Sequence, residues 1–358
     1  MEDEDWFNPP WADAGDEVET NRAPRRAAIS TNDTSLALET VSRLIRAESA
    51  FSRLDAILEE VPPLVREGII ARITLNEASG YLAHHKARIS PRDLALRAAG
   101  ITGSYTAALE AGRLGGELIW STGDIDPMEM PDDWDIGSAL ALTRHLKILA
   151  TRKNLNVLGD IGRLVAILSD LGVKTSDVER LEDWLGALPS QYSQPGLLLP
   201  AWILAHGLPG RQREDKLDIG AAFLAAAKAK EVGARSSAPF LIWAAPTSRL
   251  DRLGSQGGEV FINGYLECVL EAMNAGIREA RIVQGAAEKI PELDRRAGSS
   301  LIAGARVAIH EPVITVGVMA AKLRMTPRAA STVLLKLVEK GFLTEITRRE
   351  AWRAYSIK

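Results

Sequence analysis

Cysteine is nearly missing: Cys268 is the single one in 358 residues. That excludes an internal disulfide and any cysteine-rich zinc site. Long apolar runs are missing too. The longest candidate, Gly196–Ala205, is broken by Pro200 and stops at His206, well short of the ~18–20 residues a membrane span needs. The N-terminus is acidic and has no apolar signal-peptide core, so the expected compartment is the cytoplasm.

Signatures of phosphate and nucleophile chemistry are also wanting. Neither a Gly-x4-Gly-Lys-Ser/Thr loop nor Gly-x-Gly-x-x-Gly occurs. Gly254-Ser255-Gln256-Gly257-Gly258 is glycine-rich but has no following lysine, so it reads as a loop. There is no Gly-x-Ser-x-Gly elbow. Five histidines occur, and only His84 and His85 lie close in sequence. Adjacent helical residues point about 100° apart, so this pair does not share a metal easily and reads as a surface or half-buried pair. Asp132-Asp133-Trp134-Asp135 lacks the glycine and spaced acids of a calcium loop. No cofactor, no metal and no intact catalytic motif are expected.

What is present is an ordinary globular composition, 46% hydrophobic and 25% charged, with material for two or three domains. Residues 1–33 form an expected flexible leader, with eight acids before the first basic residue, Arg22, and with Pro9, Pro10 and Pro24. Trp6, Phe7 and Trp11 in this stretch read as a docking motif, as cover for an apolar patch on the body, or as merely tolerated there. From Thr34 the pattern turns helical. Val41, Leu44, Ile45, Phe51, Leu54 and Leu58 trace one face of a first helix, with Glu48 its one polar interruption. Further helical stretches follow over Leu64–His85, from Ser90-Pro91 to Gly100, and over Ile136–Leu155, Val157–Leu171, Thr175–Leu188, Leu197–Ala205, Leu217–Val232 and Glu259–Glu288. Phe240–Ala245 is a short apolar stretch. The expected fold class is mainly α: a multi-helix body over 34–298, then a winged helix-turn-helix over 299–358 with a small β-hairpin.

That tail is the segment whose pattern implies a partner. A helix over Leu301–Ile309 precedes Thr315, a candidate N-cap for Val316–Leu323. After Arg324-Met325, Thr326-Pro327 supplies another N-cap, with proline at the first helical position, where its missing N–H costs nothing. This third helix runs to Lys340 and stops at Gly341, a left-handed C-cap. Strand-like runs Phe342–Thr347 and Ala351–Ile357 then flank Arg348-Arg349-Glu350. Ala330, Val333, Leu334, Leu337 and Val338 fall on one stripe. A recognition helix offers base edges its N-terminal half and phosphates its flanks. Arg328, Ser331 and Thr332 are therefore the candidate base readers, with Thr326 and Lys336 on the backbone and Arg348, Arg349 and Arg353 in the wing. Trp352 and Tyr355 read as wing core. Residues 311–358 carry a net charge of +5, which leaves −9 on residues 1–310. A basic tip on an acidic body gathers the phosphate-seeking surface at one end. Winged helices also serve as dimerisation or docking modules.

The order of segments resembles a family of uncharacterised bacterial proteins frequent on plasmids of soil bacteria, which pair a helical domain with a C-terminal helix-turn-helix. The matching stretches are Arg53-Leu54-Asp55-Ala56, Glu77-Ala78, Asp93-Leu94-Ala95-Leu96 and the tail from Ile314 to Tyr355. More distantly the layout is similar to Fic-type proteins, helical domains that transfer AMP, in which a long helix leads into a C-terminal winged helix. That resemblance implies a histidine base in His-Pro-Phe-x-x-Gly-Asn-Gly-Arg. The nearest counterpart here, His206-Gly207-Leu208-Pro209-Gly210-Arg211, lacks the Pro-Phe and the Gly-Asn-Gly nest. The scaffold implied is a degenerate one.

The expected function is a transcriptional regulator that binds double-stranded DNA. It is expected to be a homodimer, because one winged helix buries little DNA surface, and its body could sense a small-molecule or protein effector. The rivals are a Fic-like nucleotidyl or phosphoryl transferase with His206 as base, and a plasmid-maintenance or toxin–antitoxin component acting by protein contact.

Overall fold

The structure, a computed structural model, describes residues 37–85, 87, 89–99, 133–152, 157–173, 178–186, 196–208, 217–232, 238–239, 241–254, 256–293, 299–347 and 353–358. The acidic leader, the stretch at 100–132 and Arg348-Arg349 lie outside these residues. The fold is mainly α, with one small sheet among the described residues.

Helix α1 (Leu38–Glu60) ends at Val61-Pro62, and Pro63 opens α2 (Pro63–His84) at the first helical position. Helix α3 (Pro91–Ala98) is capped by Ser90, whose side chain accepts the Asp93 N–H. Next come α4 (Asp133–Thr151), α5 (Ile161–Asp170), α6 (Val178–Gly186), α7 (Leu198–His206) and α8 (Ile219–Val232). Then follow α9 (Thr247–Gly254) and the long α10 (Gly258–Glu288). Charged and only eight residues long, α9 is a helix the sequence pattern does not announce.

Two helices organise this body. Helix α1 packs chiefly on α10, side by side and parallel: Thr40 donates to Glu259 near both N-termini, and Leu54 lies against Gly276 further along. The buried stripe of α1 is Thr40, Leu44, Ala47, Leu54 and Leu58. Ile45, expected on that face, is instead 63% exposed; the helix turns the Leu44 side inward, and Ile45 falls about 100° away from it. Helix α2 is central, with Ile69, Ile70, Ile73, Ala78 and Leu82 buried and with α3, α4, α9 and α10 packed around it.

Polar side chains cross-link these helices to extended segments. Glu77 on α2 accepts from the backbone N–H groups of Ile242, Trp243 and Ala244 at 2.6, 2.8 and 2.8 Å. Burial pushes its carboxyl up to about 7, opposed by these three bonds. One turn on, a Cβ at Gly80 would stand 1.8 Å from the Trp243 carbonyl oxygen. Only glycine lets the 242–244 segment lie this close to α2. Glu48 accepts the Leu197 N–H at 2.9 Å, so the polar interruption in α1 holds the start of α7. His84 is buried rather than at the surface. Its Nδ1 meets Asp251 on α9 at 2.9 Å, and its Nε2 accepts the Leu217 N–H at 3.3 Å. The histidine pair thus contributes a tertiary tie.

Past the short helix α11 (Ile290–Leu293), the tail forms α12 (Ser300–His310), β1 (Ile314–Thr315), α13 (Val316–Leu323), α14 (Pro327–Glu339), β2 (Leu343–Glu345) and β3 (Ala354–Ile357). The strands make an antiparallel sheet in the order β1-β3-β2, with Ile314 opposite Tyr355 and Leu343 opposite Ile357. This is a winged-helix arrangement. The two-residue strand β1 adds a third strand to the expected hairpin.

Candidate nucleic-acid interface

Local capping chemistry builds this tip. Thr315 accepts the Val318 N–H, and Thr326 accepts the Ala329 N–H. Arg324 ends α13 in the left-handed region, with φ 51°, and so turns the chain sharply between the two helices. Gly341, with φ 70°, ends α14. Ala330, Val333, Leu334 and Leu337 are buried, as the stripe predicts. Gly304 on α12 sits where a Cβ would meet Val333 at 2.6 Å, so α14 packs tightly on α12.

The opposite face of α14 is open. Thr326, Arg328, Thr332 and Lys336 are exposed, and Ser331 is half-buried. The Thr332 hydroxyl donates back to the Arg328 carbonyl at 3.0 Å, which fixes its rotamer. Leu335 is 48% exposed on this outward side. Arg324 and Lys340, also not singled out in advance, are exposed at the start and end of the helix. Their signal was available as charge next to a turn and a C-cap.

Ion pairing separates the tip cations into two groups. Lys322 meets Glu311 at 2.8 Å, and Arg353 meets Glu345 at 3.8 Å while also bonding Tyr355. Among the described residues, Arg324, Arg328, Lys336 and Lys340 have no carboxylate within ion-pair reach. Four unneutralised charges therefore surround one exposed helix. Arg353, expected to reach outward, is held by its own wing. Tyr355 is buried, as expected of wing core, whereas Arg348, Arg349 and Trp352 fall outside the described residues.

The tip is fixed to the body by a buried guanidinium. Arg72 on α2 donates through Nη1 to the Ile309 carbonyl at 2.6 Å and through Nη2 to those of Ala308 and Glu311 at 2.9 Å each. Nη1 also reaches Gly68 of its own helix at 3.0 Å. These are the carbonyls a helix C-terminus leaves unsatisfied, and a cation there also meets the negative end of the dipole. Burial lowers Arg72 to about 10, while Glu279 and Glu311 favour its charged form. At Gly68 a Cβ would lie 2.1 Å from the Ile309 oxygen, so this contact too requires glycine.

His310 completes the junction, with Nδ1 at 2.9 Å from Glu311 and Nε2 at 3.0 Å from Glu67 on α2. The Glu311 bond is the main cause that raises His310, against the opposing effect of burial. The same bond is the main cause that holds Glu311 down at about 2. A raised histidine stabilises fully below its unfolded value of 6.5 and loses that contribution as pH rises through its higher folded value. A depressed carboxylate stabilises above 4.5 and loses that contribution as pH falls toward 2. The junction is thus strongest between 4.5 and 6.5. The melting-temperature deficit of His310→Ala is expected to be largest at about pH 5–6 and to shrink above about pH 8, as thermal melts across pH will show.

Other expected features fall differently. His206 closes α7, with Gly207 in the left-handed region at φ 69°. The His206 side chain and residues 209–216 lie outside the described residues, as do the Asp132–Asp135 side chains. No group of metal-competent side chains occurs among the described residues, and none of their helices is long and apolar enough to cross a membrane.

Neither a protein-family model nor a curated protein matches the chain. Among solved structures, the chain is similar to a Fic family protein from Desulfovibrio desulfuricans G20, with a TM-score of 0.39 and 12% identity over 90% of this chain and 97% of that one. A likeness this weak carries no conclusion about chemistry.

Proposed function

We infer that the chain is a duplex-DNA-binding regulator that seats α14 in the major groove. The observation that carries this reading is the exposed face of α14, where Arg324, Arg328, Lys336 and Lys340 stand without carboxylate partners among the described residues. Arg328, Ser331 and Thr332 lie on the N-terminal half of the helix and are its candidate base readers, while Leu335 offers an apolar contact of the kind that meets a thymine methyl. Thr326, Lys336 and the wing residues Arg348, Arg349 and Arg353 are assigned to phosphates, Arg353 only after release from Glu345. The net negative charge of residues 1–310 repels the duplex elsewhere, so the tip alone is attracted. A homodimer reading two half-sites supplies the remaining affinity.

Selection of sites from random duplex DNA with the full-length chain tests this reading, and a palindromic consensus is expected. Affinity should fall steeply with salt, by about 0.9 log units per log unit of salt for each phosphate neutralised. Arg328→Ala should cost about 1–3 kcal/mol of discrimination at one base pair while leaving affinity for random duplex nearly unchanged. Undetectable or salt-independent binding sinks the proposal.

A further inference from the structure

Between body and tip lies an open-sided cavity of about 290 Å³. One wall is the body, with Leu75 and Asn76 of α2, Ala95 of α3, and Glu279 of α10; the other is the tip, with Val313 ahead of β1 and Ile357 in β3. The volume equals roughly ten waters at ~30 Å³ each, the scale of a small metabolite.

Cationic side chains outnumber acidic ones on this lining. Arg72, Arg92 and Lys358 face it against one acid, Glu279. Glu279 is itself hydrogen-bonded by Asn76 and lies in the field of Arg72. Arg92 and Lys358 are exposed, and neither has a carboxylate within ion-pair reach among the described residues. Asp93 offsets part of the Arg92 field from behind the wall, where it is held by Ser90. Counting Asp93, and Glu311, whose field reaches Arg72, the formal charges even out, and what is left over is the two exposed side chains, Arg92 and Lys358, that no carboxylate among the described residues pairs. Arg92 is also the second residue of α3, at the positive end of that helix. Exposed cations and buried aliphatic side chains on one lining suit a ligand with one anionic end and an apolar body.

The geometry points to a binding site for a small organic carboxylate at this seam, with Arg92 and Lys358 gripping the carboxylate and Leu75, Ala95, Val313 and Ile357 covering its apolar part. An occupant bridges α2, α3 and α10 to the chain around Val313 and Ile357, next to the Arg72 junction. It therefore ties the tip to the body. The site stands whether or not the tip reads DNA.

Saturation-transfer NMR on the full-length chain, without DNA, tests it with benzoate, phenylacetate and hexanoate against benzamide and hexanamide. The acids should receive saturation and the amides at most about one fifth as much. The double variant Arg92→Glu/Lys358→Glu changes only exposed side chains. It should keep the wild-type melting temperature and lower acid saturation about tenfold. Absence of transfer to all three acids, equal transfer to the amides, or unchanged transfer in the double variant each overturns the proposal. Because no duplex is present, these outcomes are independent of site selection on DNA.

Discussion

Arg72→Ala is expected to lower the stability of the chain by roughly 3–5 kcal/mol, the sum of several orphaned buried acceptors at about 1–3 kcal/mol each. Against a typical total of ~5–15 kcal/mol this is a large fraction. The guanidinium satisfies the carbonyls of Ala308, Ile309 and Glu311 from a buried position. Arg72→Lys should recover less than half of the loss, because an ammonium is a point donor and cannot span diverging carbonyls. Denaturant midpoints at constant slope measure both. A loss under about 1 kcal/mol for Arg72→Ala would show the junction to be solvated and weak.

Converting Arg324, Arg328, Lys336 and Lys340 together to glutamate should weaken duplex binding on the order of a thousandfold near 100 mM salt. The slope of log affinity against log salt should fall by about 3 units, one for each phosphate-directed cation removed (Arg324, Lys336 and Lys340), Arg328 being a base reader. All four side chains are exposed, so the melting curve should barely move. Site-directed affinity measurements across a salt series separate the outcomes. A variant that still binds with an unchanged slope would mean that duplex contacts lie elsewhere.

The tip was legible because its signals are local. Thr315, Thr326, Pro327 and Gly341 each act within one turn of a helix end, and each is found in the expected role. The buried stripe of α14 followed from the same spacing. The body hid what depends on distant partners. Glu77 and the 242–244 segment are some 165 residues apart, and Arg72 and Ile309 are 237 apart. Nothing in the neighbourhood of either side chain announces such a partner. His84 shows the same limit, since its burial is set by Asp251 and Leu217, not by its neighbour His85. Ile45 failed for a smaller reason: Leu44 and Ile45 are equally apolar, and only the placement of α10 decides which one turns inward. The two-residue strand β1 is too short for any alternation to show.

Arg72 and Gly68 also bear on how this protein can be taken apart. Both belong to the second helix, yet both act on the last turn of the helix that opens the tip. A fragment cut at the 294–298 stretch would leave behind its own end-cap and bare the carbonyls it had served. Grafting that fragment onto a foreign carrier should therefore succeed only where the carrier presents an arginine beside a backbone bare enough to touch. The covalent border of the tip and its energetic border fall in different places along the polypeptide.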